Sequence, residues 1–115
     1  MKFKTAKING EGVPEVSCED LRGAGKDVVI IDVRRPDEFS GELGHIEGAT
    51  LSTLEGSFGS DIANWPRDKA YVFVCRSGAR SSRATGHALS LGFKDVYNME
   101  GGMIAWNSAQ LPVTK

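Results

Sequence analysis

Val28-Val29-Ile30-Ile31 is the stretch that most limits how this chain folds. Four β-branched residues in a row do not alternate with polar ones, so a strand built from them is apolar on both faces. Such strands belong to parallel sheets covered by helices on both sides. Tyr71-Val72-Phe73-Val74 repeats the pattern, and Asp95-Val96-Tyr97-Asn98-Met99 is a third strand candidate. Helical signals lie between them. Ser17-Cys18-Glu19-Asp20 reads as a capping box opening a short helix that Gly23 and Gly25 end. Pro36-Asp37-Glu38-Phe39 is a helix start, with proline in the first turn and acids facing the dipole. Ser81 to Leu91 carries Ala84, Ala88 and Leu91 at helical spacing, and Gly92 caps it. Met103 to Ala109 is a short helix stopped by Leu111-Pro112, and Leu54 to Trp65 a weaker one broken by Gly56 and Gly59. Strands alternating with helices predict an α/β fold with a mostly parallel sheet flanked by helices.

The rest of the chain fits one domain. Residues 1–12 are polar, contain Asn9-Gly10 and Gly12, and are expected to form an arm or an edge strand; 13–115 form the domain proper. Val13 to Val16 is short and extended, because Pro14 turns Val13 away from helix. His45 to Leu51 suggests a turn feeding a short strand. With 40% hydrophobic and 25% charged residues the composition excludes a disordered class. No apolar run approaches the ~20 residues of a membrane span, so no membrane partner is expected. A net charge of −1 argues against a nucleic-acid partner. The basic N-terminus has no apolar stretch behind it, unlike a secretory signal. Cys18 and Cys75 make no disulfide framework; both are expected as reduced thiols in a cytoplasmic setting.

The chemistry concentrates in Cys75-Arg76-Ser77-Gly78-Ala79-Arg80. Cys75 ends a predicted strand and enters a glycine-containing loop ahead of a helix. Ligands of open α/β sheets bind at that edge. The helix N-terminus there presents free N–H groups and the positive end of its dipole, which favour a bound anion or a thiolate. A buried, inert cysteine is the plain alternative, but a loop with two arginines, a serine and a glycine is a poor place to hide one. Arg76 and Arg80 flank Gly78 and, with backbone N–H groups, form a candidate oxyanion cradle; Arg83 reads as part of a solvated helix face. Such a loop suits attack on phosphorus or arsenic, or on a sulfane sulfur. Arg80 comes one residue earlier after the cysteine than in tyrosine-phosphatase loops. The cradle is therefore expected to be tighter, which favours sulfur. A Cys–His hydrolase is disfavoured, since His87 lies well inside the following helix and His45 sits in a glycine-rich turn. Without CxxC or clustered histidines, no metal or cofactor is expected.

These motifs resemble the rhodanese family in its small single-domain form, over about Pro14 to Val113. Ile31 to Phe39 is similar to the family's first signature, and Gly41 to Ala49 continues it. Val74 to Ser81 is similar to the active-site loop. Gly92-Phe93, Val96-Tyr97-Asn98, Gly101-Gly102-Met103 and Ala105-Trp106 are similar to the closing signature. The resemblance implies a three-layer α/β sandwich with about five strands. It implies a sulfurtransferase in which Cys75 takes the outer sulfur of thiosulfate, releases sulfite, and passes the sulfur to cyanide or a thiol. Residues Arg76, Ser77, Gly78, Ala79 and Arg80 would cradle the persulfide. A persulfide carrier that docks on a sulfur-relay partner is the second expectation; a phosphatase or arsenate reductase ranks last. Asp32 and Arg34 fall at the pocket edge, where a structural pairing of Arg34 with Asp32, Asp37 or Glu38 is favoured over catalysis. His45 and Trp106 carry over as fold residues. Cys18 matches no functional motif.

Overall fold

The computed structural model describes residues 2–115; Met1, the first residue of the expected arm, lies outside it. The strands are β1 (Lys7–Ile8), β2 (Pro14–Val16), β3 (Val29–Asp32), β4 (Thr50–Leu51), β5 (Tyr71–Val74) and β6 (Val96–Met99). The helices are α1 (Cys18–Ala24), α2 (Pro36–Phe39), α3 (Phe58–Ile62), α4 (Ala79–Ser90) and α5 (Gly102–Ser108). The six strands form one sheet in the order β1-β2-β6-β5-β3-β4. Only β1 runs antiparallel to its neighbour. The sheet exceeds the expected five strands by this β1, which pairs Lys7 with Glu15 and Ile8 with Pro14 along one edge.

Strand β5 is enclosed on both faces, as a run without alternation requires. Val72 and Val74 point to one face, where Leu21, Met99, Met103 and Trp106 pack with them beneath α1 and α5. Tyr71 and Phe73 point to the other, against Phe58, Ile62, Ala84, Ala88 and Phe93 from α3, α4 and the turn after α4. Burying each such side chain contributes about 1.5–3 kcal/mol, so β5 is the spine of both cores. Cys75 continues the Tyr71–Phe73 parity and lies in the second core. Strand β3 is less enclosed than its sequence predicts: Val29 and Ile30 are half-buried. It is next to last in the sheet, and only the two-residue β4 lies beyond it.

The helices follow their caps. Ser17 accepts the Asp20 N–H at 3.0 Å and starts α1, which runs through Gly23 and stops at Gly25. The weak helix expected over 54–65 shortens to α3. Phe58 and Ile62, one turn apart, bury themselves there, while Gly56 N–H turns back to the Thr53 carbonyl at 2.9 Å. Among the described residues no helix is long and apolar enough to cross a membrane.

Candidate active site

Parallel strands bring the C-terminal ends of β3, β5 and β6 to one edge of the sheet. The residues after them are Val33-Arg34-Arg35, Cys75 to Gly78, and Glu100-Gly101. Cys75 is therefore fixed by a strand on one side and a helix on the other. Helix α4 begins at Ala79, two residues earlier than predicted, because Gly78 is its N-cap with φ +103°. That left-handed conformation suits glycine. Arg80 consequently sits in the first helical turn rather than in the loop.

Helix α5 sets which way the loop faces. Met103 N–H donates to the Cys75 carbonyl at 2.9 Å, and Ile104 N–H to the Arg76 carbonyl at 3.0 Å. Across a planar trans peptide, C=O and N–H point in opposite directions. The N–H groups of Arg76 and Ser77 thus face away from α5. Gly102 makes the approach possible: a Cβ there would lie 2.5 Å from the Cys75 carbonyl oxygen, and φ is +59°.

Cys75 is buried, and two hydrogen-bonding groups lie against its sulfur. Gly78 N–H lies 3.0 Å away and the Ser81 hydroxyl 3.2 Å. Both approach from the N-terminal end of α4, where backbone donors lack intrahelical partners and the dipole is positive. A sulfur anion is stabilised at such a place.

The two arginines that follow Cys75 differ. Arg76 is exposed and, among the described residues, forms no salt bridge. Arg80 donates to both oxygens of Glu38, at 2.7 and 2.8 Å. The hydrogen bonds from Arg80 hold the Glu38 carboxyl down at about 2, and Glu38 in turn raises the Arg80 guanidinium further. Arg80 thus spends its planar fork on a carboxylate rather than on an incoming anion. Beside Arg76 opens a cleft of about 220 Å³, lined by Arg34, Asp37, Glu38, Glu42 and Leu43. A larger cavity of about 530 Å³ lies among Leu21, Ile46, Trp106 and Val113; none of the loop residues lines it.

Asp32 and Arg34 form a buried pair at the end of β3. Arg34 donates through Nε and Nη2 to the Asp32 carboxylate, at 2.7 Å in the shortest contact, and to the Gly44 carbonyl at 2.8 Å. Their carboxylate and guanidinium groups are spent on each other and on the backbone of the turn that follows. His45 stacks on Phe39 with ring centroids 3.6 Å apart, and its Nδ1 meets the Phe39 carbonyl at 2.8 Å. His87 and Arg83 face outward on α4. Cys18 is buried in α1, and burial pushes its thiol up to about 11. Trp106 is buried, with its indole N–H on the Pro112 carbonyl at 2.9 Å.

Four side chains at the site have roles that sequence reasoning did not assign. They are Ser81, Asn98 and Glu15, linked in series to Cys75, and Glu38 as the partner of Arg80. Asn98 carries a readable signal. It is a polar residue inside an apolar strand, and a buried polar group needs hydrogen-bond partners.

Residues 17–109 match the Rhodanese-like domain family, and the chain belongs to it. Several of its relatives are named sulfurtransferases. It is 35% identical over 88 residues to a thiosulfate sulfurtransferase, GlpE, of Pseudoalteromonas translucida, covering 73% of this chain and 77% of that protein. It is 32% identical over 105 residues to a probable adenylyltransferase/sulfurtransferase, MoeZ, of Mycobacterium tuberculosis. That match covers 90% of this chain and only 26% of MoeZ, so the chain spans about a quarter of that longer relative. Among solved structures, a rhodanese-related protein from Thermoplasma volcanium superimposes with a TM-score of 0.78 at 27% identity, covering 87% of this chain and 96% of that one. Fold and family together make this a rhodanese-like domain.

Proposed function

We propose that Cys75 carries sulfane sulfur as a persulfide, taken from thiosulfate or a persulfide donor and passed to a thiol or cyanide. The observation that carries this reading is the place of its sulfur at the open end of α4, where the Gly78 N–H donates to it at 3.0 Å. The thiolate attacks the outer sulfur of thiosulfate. A new S–S bond forms to Sγ, and the old S–S bond breaks with its electron pair leaving on sulfite. The terminal sulfur then bears the negative charge beneath the inward N–H groups of the loop. An acceptor thiolate or cyanide attacks that sulfur, and the Cys75 thiolate leaves. No general base is required, because both leaving groups depart as stable anions. The name of the Pseudoalteromonas relative supports thiosulfate as a donor. Both cysteines are free, and the proposed cycle needs Cys75 reduced, which suits a cytoplasmic setting.

A second reading, a persulfide carrier served by a partner protein, is favoured by the charges at the mouth. Glu38 occupies Arg80, and Asp37 and Glu42 line the cleft beside Arg76, so a small dianion meets little unspent positive charge. The two readings share Cys75 and differ in the donor. The test is sulfite release from thiosulfate with a thiol acceptor. Release by wild type and none by Cys75→Ser is expected. Equal release by both, or a Cys75-dependent hydrolysis of aryl phosphate in its place, contradicts the proposal.

A further inference from the structure

The sulfur of Cys75 stands at the end of a chain of hydrogen bonds that starts in the N-terminal segment. Ser81 Oγ lies 3.2 Å from Cys75 Sγ and 2.5 Å from Asn98 Oδ1. Asn98 Nδ2 donates to Glu15 Oε2 at 2.7 Å. Asn9 Nδ2 donates to the same oxygen at 3.0 Å. Ser81 and Asn98 are fully buried, so water does not complete their valences.

Every member of this chain except Ser81 has a fixed polarity. Backbone N–H groups only donate, and those of Glu11 and Val13 lie 2.8 and 3.2 Å from Asn9 Oδ1. Asn9 must therefore turn its NH₂ toward Glu15. A carboxylate only accepts, so Asn98 must turn its NH₂ toward Glu15 and its oxygen toward Ser81. Ser81 has a single hydroxyl proton and two acceptors for it: Asn98 Oδ1 and the sulfur. When the sulfur is a thiol, Ser81 donates to Asn98 and accepts from S–H. When it is a thiolate, Ser81 satisfies one acceptor and leaves the other short of a donor. In a persulfide, Sγ is uncharged and the negative charge moves to the terminal sulfur, so Ser81 serves Asn98 without competition.

We propose that Glu15, held by Asn9, is a positioning residue for Cys75: by fixing the amide of Asn98 it directs the Ser81 hydroxyl away from the bare thiolate. This disfavours the empty thiolate relative to the sulfur-loaded form. The inference rests on Cys75 as the reacting thiol, the reading given above.

The charged groups about Cys75 are Arg76 on its own loop, Arg80 on α4 with Glu38 of α2, the Asp32–Arg34 pair at the end of β3, and Glu15 on β2. Glu15 is the one joined to the sulfur through a series of side-chain hydrogen bonds, so its effect separates into charge and geometry. The experiment is an ultraviolet titration of the Cys75 thiolate in the full chain, taken as the difference from Cys75→Ser. It reads the thiolate whether or not sulfur is transferred, so its failure is distinct from failure of the sulfur reading. In Glu15→Ala the Asn98 amide is released to turn over and donate to Ser81, which then donates to the thiolate. The midpoint is expected to fall by about one pH unit, the scale set by relieving one unsatisfied buried acceptor. Glu15→Gln keeps an acceptor that Asn9 holds in place and is expected to stay near wild type. In a Ser81→Ala background the effect of Glu15→Ala is expected to vanish. Should Glu15→Ala lose its fold, Glu15→Thr, too short to reach Asn98, takes its place. Equal shifts in Glu15→Gln and Glu15→Ala would mean that charge acts through space and would overturn the proposal. So would a shift that persists without Ser81, or no shift at all.

Discussion

Glu38 changes what the loop offers an anion. Its carboxylate accepts from Arg80 at 2.7 and 2.8 Å and also takes the Arg35 N–H at 3.1 Å, so it caps α2 while it neutralises the Arg80 guanidinium. These bonds, that of Arg80 first, hold its carboxyl near 2 against an ordinary 4.5. A depressed folded value means that the pair stabilises the protein above pH 4.5 and that this contribution is lost as pH falls through about 2. Both side chains keep some solvent contact, so screening reduces the contribution to about 1 kcal/mol. Denaturant unfolding of wild type and Glu38→Gln across that range tests this. The variant is expected to be less stable at neutral pH and to converge with wild type near pH 2. A difference that does not change with pH would show that the pair is not ionic in its effect. Cys75 and its loop are legible in the sequence because strand end, glycine and helix start are contiguous. Glu38 and Glu15 are not, because their bonds to Arg80 and Asn98 span 42 and 83 residues. Only the folded sheet edge brings such residues together.

At the scale of elements, α5 is the clamp on the loop. Its first N–H groups hold the Cys75 and Arg76 carbonyls, and Gly102 is the residue that lets it come close. A methyl at Gly102 meets backbone at 2.5 Å from both residues, and neither can yield as a flexible side chain would. Gly102→Ala is expected to destabilise the fold by about 1–3 kcal/mol and to lower sulfur transfer more than this loss alone explains. Thermal unfolding and activity measured well below the melting temperature separate the two effects. Activity equal to wild type in the folded variant would contradict the clamp. The sequence marks Gly101-Gly102 as a turn, but not the carbonyls it serves, since these lie on a different element. It also misplaces the start of α4 by two residues. Residues 79 and 80 carry no apolar periodicity, and it is Gly78 in the left-handed conformation that sets the boundary.

Over the whole molecule, the α/β class follows from runs that bury both faces; β5 lies fully enclosed in the sheet as expected, and β6 is enclosed beside it. What the runs do not reveal is the edge. Strand β1 has two exposed residues, and pairing with β2 rather than apolar pattern makes it a strand. That edge matters to the site, because the turn between β1 and β2 carries Asn9, from which the polarity of the chain to Cys75 begins. The domain thus joins an electropositive helix end, a clamped loop and a buried polar chain at one sulfur atom. The measurement that tests this most directly is the intact mass of wild type and Cys75→Ser after brief exposure to thiosulfate and, separately, to glutathione persulfide. Wild type alone is predicted to gain one sulfur atom, which a thiol removes. A wild type that gains nothing from either donor, or a Cys75→Ser variant that gains sulfur equally, would contradict the account.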